Sequence, residues 1–458
     1  MRAFQSISVP MMALVAALGF AGAASAAVDP EVAYIFNTFS FLVCGFLVMF
    51  MAAGFAMLES GLVRTKNTAT ICLKNICIYS VAGLMYYFIG YSLMYADVSG
   101  YIGTLTLFYD TSPAEIALLS AVADEADVTP EMLGAVIDPN GYSVMSDWFF
   151  QMVFVATAAS IVSGTVAERV KFWPFFIFVV VLTGFIYPIQ GAWTWGKGWL
   201  DVQGFSDFAG STIVHSVGGW AALMGAIIIG ARRGKYGPDG SVHPMPGANL
   251  PLATLGTFIL WLGWFGFNGG SQLALGSAGD ATAISNVFVN TNLAAAAGVV
   301  AAVAASQAMF GKIDLTMALN GAIGGLVSIT AGPDLTFHFC SVIIGAIGGV
   351  LVVITVPMLD KMKIDDVVGA IPAHLVCGIW GTLAVAIFGE GTFAAYVAQI
   401  TGIIAIGLFV SITSAVVWYV LRATMGLRPT EEQEELGLDR AEVGMEAYPE
   451  FGTGSARL

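Results

Sequence analysis

The 458-residue chain is 57% hydrophobic and only 10% charged, whereas soluble domains carry about 25% charged residues. This composition excludes an ordinary water-soluble protein and predicts a membrane protein. The net charge of -14 leaves no basic groove for nucleic acid, so nucleic-acid binding is excluded as well. The five cysteines, an odd number in apolar surroundings, argue against a disulfide framework.

Residues 1–26 have the pattern of a cleavable signal peptide. Arg2 precedes an apolar run from Met11 to Phe20, and an Ala-Ser-Ala triplet at 24–26 supplies the small residues of a cleavage site. Cleavage would leave the mature amino terminus outside the membrane. The alternative is an uncleaved first membrane helix.

Eleven apolar segments follow, each near the ~20 residues that a membrane-spanning helix requires. The predicted fold class is therefore an all-α polytopic membrane protein, with a long final helix. The predicted spans are 34–62, 73–95, 147–167, 172–194, 210–230, 250–270, 285–309, 314–331, 337–358, 368–389 and 393–421.

Basic residues mark one side of this arrangement. Apart from Arg2 in the signal segment, every Lys and Arg except Lys197 is assigned to that side. Because cytoplasmic loops carry the excess of positive charge, the chain is predicted to be a multi-pass protein of the plasma (inner) membrane with a cytoplasmic carboxyl terminus. The basic residues are Arg64, Lys66, Lys74, Arg169, Lys171, Arg232, Arg233, Lys235, Lys312, Lys361, Lys363, Arg422, Arg428, Arg440 and Arg457.

The loop at 97–147 is long, acidic and predicted to lie outside the membrane. Long loops of this kind either carry a function or are solvated insertions. A cap over a pore entrance and a plain insertion therefore both remain open.

A carboxylate followed eight residues later by a histidine occurs twice, as Asp207 with His215 and as Asp366 with His374. Each pair lies in or next to an apolar segment, the fifth and the tenth, which predicts a five-plus-five inverted repeat over about 34–230 and 250–389. A two-fold axis in the membrane plane would bring both histidines together. A weaker echo pairs a Gly-Phe dipeptide at 54–55 and Glu59 with the dipeptide at 266–267 and Ser271. An ionisable residue inside a membrane is by default a candidate functional residue.

These motifs resemble the ammonium transporter family (the Amt/Mep/Rh superfamily, bacterial Amt type), and the resemblance covers nearly the whole mature chain. The matching stretches are 53–64, 166–169, 207–215, 264–271 and 374–381. The resemblance implies a membrane domain at 27–421, eleven helices per subunit, a homotrimer and one pore through each subunit. It also implies that the tail at 422–458 is a cytoplasmic regulatory segment that couples the pore to a PII-type signalling protein, whereas its acidic composition alone indicates a solvated, partly disordered extension.

By the same resemblance, Trp195, Phe154 and Ser271 form an outer site that recruits a cation through aromatic faces and a hydroxyl. Asp207 matches the carboxylate beneath that site. Two roles are open for it: stabilising the cation, or capping the amino terminus of the fifth span.

The resemblance further assigns Phe154 and Phe267 to the gate that closes the pore, and His215 and His374 to a narrow apolar conduit below it. Ammonium would lose a proton at the outer site, ammonia would pass the histidines, and the proton would travel separately. The imidazoles suit a proton relay because their pKa lies near physiological pH.

Two other functions remain open on sequence grounds: an ammonium sensor that signals through its tail, and a related channel for a neutral gas. A sensor would be favoured by an output domain, which is not seen after residue 421, and a gas channel is disfavoured by the predicted Trp195 site. The sequence contains no nucleophile–base set, phosphate-cradling loop or metal-ligand cluster. We therefore predict no enzyme activity, no cofactor and no metal.

Overall fold

The computed structural model of the chain describes residues 28–450. Over this range the protein is helical, and the described residues contain no β-strand beyond one isolated bridge between Tyr236 and Val242. The predicted signal peptide lies outside the described residues. The five cysteines lie within them and are all free.

The helices follow the predicted spans closely, and two additional helices, α3 and α4, occupy the long loop at 97–147. In chain order the helices are α1 Pro30–Leu62, α2 Thr65–Tyr95, α3 Pro113–Ala123, α4 Pro130–Asn140, α5 Val144–Thr165, α6 Phe172–Ala192, α7 Ser211–Ile229, α8 Leu250–Gly270, α9 Ala278–Phe310, α10 Leu315–Ile329, α11 His338–Lys361, α12 Ile371–Phe388, α13 Phe393–Thr424 and α14 Glu431–Leu436, with short helical turns at Trp199–Val202 and Asp439–Val443.

Within the described residues, ten helical segments are long and apolar enough to cross a membrane. The eleventh predicted span, 314–331, coincides with α10, an apolar helix of only 15 residues. Since a spanning helix needs about 20 residues, length and composition by themselves support ten spans.

Helices α1 and α8 pack against each other through glycines. A Cβ atom added to Gly54 would lie 2.9 Å from the Cγ of Leu260, and one added to Gly256 would lie 2.7 Å from the carbonyl oxygen of Gly54. Glycine has no side chain, so the two helix backbones can approach closely. Close packing matters in a membrane because lipid is as apolar as the helix surfaces, and van der Waals contact therefore drives helix association.

The long loop is attached to the start of α5. Glu115 in α3 is buried and accepts hydrogen bonds from the Ser143 hydroxyl at 2.8 Å and from the Val144 N–H at 2.9 Å. The loop therefore has a folded base, with α3 and α4 packed on each other.

The opposite end of the bundle, here called the tail face, comprises the loops at 63–64, 166–171, 230–249, 311–314 and 362–370 together with residues 425–450. A buried ion network crosses it. Glu168 pairs with Arg64 and with Arg232, and Asp365 receives two hydrogen bonds from the Arg232 guanidinium at 2.8 and 2.9 Å. The network ties together the loops that follow α1, α5, α7 and α11.

Lys74 is a correction to the sequence analysis, which assigned it to a basic loop. It lies inside α2 and is only 2% exposed. Its ammonium group donates to the Ser163 carbonyl oxygen at 3.0 Å and lies 4.1 Å from the centre of the Phe175 ring. Helix α2 begins earlier than predicted because a residue of the tail supplies acceptors for its first turns.

The tail supplies those acceptors through Asp439. Its carboxylate accepts the N–H groups of Ala69 and Thr70 at 2.9 and 2.7 Å and the Thr70 hydroxyl at 2.8 Å. Glu434 accepts from Arg428 at 2.6 Å and is buried. Residues 425–450 therefore pack on the tail face.

Asp365 makes the acid stability of this face predictable. Burial opposes ionisation of its carboxyl, but hydrogen bonds from Arg232 and the charges of Arg169 and Arg232 outweigh burial and hold the pKa of Asp365 well below its ordinary value. A carboxyl whose pKa falls on folding stabilises the folded protein fully above its unfolded-state pKa of about 3.9. That contribution is lost as the pH falls through the folded-state pKa.

We expect Asp365→Asn to lower the free energy of unfolding by about 3 kcal/mol at pH 7, because it leaves a buried guanidinium short of counter-charge. The difference from the wild type should persist down to about pH 4 and shrink below it. Thermal unfolding of the detergent-solubilised protein measures both. Asp360→Asn is the matched control, since Asp360 is partly exposed in its pair with Lys235 and such pairs contribute about 1 kcal/mol or less. Equal effects of the two substitutions would contradict the expectation.

Candidate functional site

The amino-terminal end of α7 is organised by Asp207. The chain enters the helix through Gly210, whose φ of 110° is a left-handed conformation that suits glycine. The first turn is π-helical and contains His215. The Asp207 carboxylate is buried and accepts four consecutive backbone N–H groups at 2.8–3.0 Å, those of Gly210, Ser211, Thr212 and Ile213. These are the contacts of a helix cap, the second of the two roles considered for Asp207.

The amino-terminal end of α12 repeats this arrangement 159 residues later. Gly369 also has a left-handed φ, of 79°, and the first turn of α12 is again π-helical and contains His374. Asp366 accepts the Ile371 N–H at 2.7 Å, the counterpart of the bond from Thr212 to Asp207. Local π-helical turns often occur at functional sites, and here both place a histidine inside the bundle.

The structure brings His215 and His374 together. Their Nδ1 atoms lie 3.2 Å apart, and both side chains are buried. Since one Nδ1 must donate and the other accept, the pair shares one proton along this contact. The other ring nitrogen of His215, Nε2, has no hydrogen-bond partner among the described residues.

Aromatic rings close the space on the His215 side. The Phe267 ring lies 5.2 Å from the His215 ring and 4.1 Å from the Phe154 ring. Phe150 contacts Phe154 one turn further out, with ring centres 4.8 Å apart. These phenylalanines are almost fully buried, so the predicted gate residues form one closed aromatic stack above the histidines.

Trp195 lies beyond this stack and remains partly exposed. Its ring meets Phe154 edge-on at 6.0 Å, and its Nε1 donates to the Asp207 carbonyl oxygen at 3.0 Å. Ser271 ends α8 one turn after Phe267 and donates its hydroxyl proton to the Phe267 carbonyl oxygen at 2.8 Å. The Ser271 oxygen therefore keeps lone pairs with which to accept from a ligand.

Two rings next to the histidines were not assigned a role by sequence reasoning. Trp264 stacks on His215 at 4.9 Å and donates to the Thr330 hydroxyl at 2.8 Å, and Phe55 lies 6.3 Å from the His374 ring. Helical spacing was the available signal for Trp264, since it precedes Phe267 by three residues and so shares its helix face. Phe55 was marked by its echo of Phe267.

The chemistry open to this arrangement follows from what lines it. The two histidines are the polar groups at its centre, and aromatic rings surround them. Residues 28–450 contain no group of three His, Cys, Asp or Glu side chains that could hold a metal ion. The site can therefore hold a small neutral molecule with hydrogen-bonding capacity and can move a proton between imidazoles.

Comparison with known proteins agrees with these features. Residues 39–448 match the family model described as the Ammonium Transporter Family. The ammonium transporter Amt2 of Archaeoglobus fulgidus is 40% identical over 444 residues, covering 90% of this chain and 87% of that protein. The ammonium transporter 1 member 3 of Solanum lycopersicum is 31% identical over 452 residues, covering 90% and 93%.

Solved structures agree as well. A structure titled Sensor Amt Protein superposes with a TM-score of 0.81 at 36% identity, covering 90% of this chain and 100% of that one. Mep2 of Candida albicans gives a TM-score of 0.76 at 26% identity, covering 88% and 89%. The chain therefore belongs to the ammonium transporter family.

Proposed function

We propose that this protein transports ammonium by moving ammonia and a proton separately past His215 and His374. The observation that carries the proposal is the buried imidazole pair, 3.2 Å apart and enclosed by aromatic rings. A continuous ring stack blocks a hydrated ion, while the paired imidazoles offer a route for a proton.

Recruitment begins at Trp195, Phe154 and Ser271. Aromatic faces attract a cation by about 0.5–2 kcal/mol each, with Trp the strongest, and the Ser271 oxygen accepts one N–H bond. The edge-on contact of Trp195 with Phe154 leaves aromatic surface available to a cation. Asp207 contributes by fixing the backbone around Trp195, whose Nε1 bonds to its carbonyl oxygen.

The ion loses its proton before it passes Phe154 and Phe267. Moving a bare unit charge into a low-dielectric interior costs ~20 kcal/mol in the idealised limit, whereas ammonia carries no charge. Potassium has no proton to release, so the same passage rejects it. The gate rings, 4.1 Å apart, open for ammonia by side-chain motion.

The membrane topology completes the proposal. We infer eleven spans, with α10 as the eighth, and an inverted repeat that relates α7 to α12. The matched cap, left-handed glycine and histidine of the two helices support the repeat, as does the pairing of Phe267 with His215 and of Phe55 with His374. The tail face is cytoplasmic because it carries the basic loops, and the membrane is the plasma (inner) membrane.

We further propose that the protein is a homotrimer and that its tail couples transport to a PII-type signalling protein. Family membership supports the trimer. The attachment of the tail to the first turns of α2 through Asp439 supports the coupling, because a partner that pulls on the tail would act directly on a membrane helix.

A second candidate function is ammonium sensing. It is favoured by the similarity to the structure titled Sensor Amt Protein, which has the higher TM-score of the two described above. A sensor would bind ammonium at the same site without sustained flux. A neutral gas channel is less compatible with Trp195 standing edge-on above Phe154.

Replacing both His215 and His374 by Leu should abolish the ammonium-selective current of the protein in liposomes, because no group then relays the proton. We expect a fall of about 100-fold or more, within the range that positioned proton-transfer groups contribute. His243→Leu is the control, since His243 is exposed on the tail face. Undiminished ammonium current over potassium and sodium in the double variant would exclude the relay, and no current in the wild type would favour the sensor.

Trp195→Leu should weaken ammonium recruitment. Loss of a cation–π contact of about 0.5–2 kcal/mol raises the ammonium concentration that gives half-maximal current by roughly 2- to 30-fold. Trp195→Phe keeps an aromatic face but loses the Nε1 bond to Asp207, so it should fall between the wild type and the Leu variant. A half-maximal concentration unchanged in the Leu variant would remove Trp195 from the site.

Asp439→Ala should detach the tail, because it removes three acceptor contacts to α2, and capping interactions contribute about 0.5–2 kcal/mol. We expect faster proteolytic cleavage within 425–450, lower ammonium current and weaker binding of a purified PII-type protein. Glu432→Ala, an exposed site on α14, serves as the control. Unchanged current together with unchanged binding would remove the regulatory proposal.

A further inference from the structure

A second ionisable group, Glu59, lies near the pathway but has no role in the transport scheme above. It occupies the last turn of α1 and is 1% exposed. One carboxylate oxygen, Oε2, accepts from the Ser163 hydroxyl at 2.7 Å and from the Asn75 amide at 3.3 Å. The other, Oε1, has no hydrogen-bond partner within residues 28–450. A buried carboxylate oxygen left in this way is costly unless something binds it.

Lys74 does not account for this oxygen. The Lys74 ammonium donates to the Ser163 carbonyl oxygen and faces the Phe175 ring, so its charge is stabilised at a different place. No ion pair joins Lys74 to Glu59 in the described part of the chain. Glu59 therefore keeps a free acceptor at Oε1.

Glu59 and His374 line the same small cavity, of about 10 Å³. A volume of roughly 10–15 Å³ admits one water-sized molecule, and ammonia is of that size. Asn320 and Val368 line both this cavity and a larger one of about 560 Å³ bounded by the loops of the tail face. Glu59 thus lies between the histidine pair and the tail face.

The echo between α1 and α8 gives Glu59 a counterpart. Phe267 packs on His215 and is followed four residues later by Ser271, while Phe55 packs on His374 and is followed four residues later by Glu59. On the tail side, the place of the recruiting hydroxyl is therefore taken by an acid. A serine hydroxyl stays neutral while it binds the passing molecule, whereas a carboxylate can take up a proton, hold it and release it.

We propose that Glu59 returns the proton to ammonia on the tail side of the histidine pair. The inference rests on the proposed transport function. The protonated His374 gives a proton from Nε2 to Oε1 of the Glu59 carboxylate, breaking an N–H bond and forming an O–H bond. The carboxylic acid then gives this proton to the nitrogen lone pair of ammonia in the shared cavity, which forms ammonium and restores the carboxylate.

Glu59→Gln tests this step because its amide oxygen can still accept from Ser163 and Asn75 while the titrating acid is lost. We expect the ammonium-driven current in liposomes to fall about tenfold or more, the scale of losing a positioned proton donor. The ammonium concentration for half-maximal current should change less than about twofold, since recruitment occurs on the other side of the gate. Glu115→Gln, the same change at a buried glutamate of α3, should leave the current unaltered.

The outcomes separate this inference from the function on which it rests. A wild type without ammonium current refutes the transport function. If the wild type carries current and the Glu59→Gln current is within about twofold of it, the role of Glu59 is refuted and the transport function stands. If Glu59→Gln elutes as an aggregate, Glu59→Asp decides: an acid withdrawn by one methylene group from the cavity should lower the current several-fold, and a current equal to the wild type would overturn the proposal.

Discussion

The carboxylate of Asp207 satisfies four backbone N–H groups at a helix start that water does not reach. A buried helix terminus otherwise leaves these donors without acceptors, which is costly in a membrane protein. With the donors satisfied, α7 can begin inside the protein with a left-handed Gly210 and a π-helical turn. That turn places His215 in contact with His374. At the corresponding end of α12, Asp366 accepts the Ile371 N–H, so a carboxylate caps each of the two turns that carry a histidine.

All but one of the ion pairs among the described residues lie on the tail face. Arg232, Glu168 and Asp365 neutralise one another there and hold the connecting loops in place. The tail adds Asp439 at the first turns of α2. The tail is therefore connected, through α2, to the buried carboxylate beside the histidine pair, because Asn75 of α2 donates to Glu59.

The sequence predicted the positions of most helices but not the contacts that depend on residues far along the chain. Apolar length located the helices to within a few residues for most spans, and 250–270 matches α8 at both ends. The same reasoning started α2 too late and placed Lys74 in a loop, because the acceptors that extend the helix come from Asp439, far along the chain. Trp264 was not assigned either: its spacing from Phe267 placed it on the same helix face, but only the structure shows that it stacks on His215.

The sequence alone determined the membrane class, the family and the pairing of two Asp–His motifs, because composition, spacing and local motifs are properties of the chain itself. The tertiary structure decided which side chains meet. It placed the histidine Nδ1 atoms 3.2 Å apart, stacked Trp264 on His215 and left one oxygen of Glu59 without a partner in the described chain. Contacts of this kind join residues that lie tens to hundreds of positions apart, and their geometry depends on how whole helices pack, which no local pattern records.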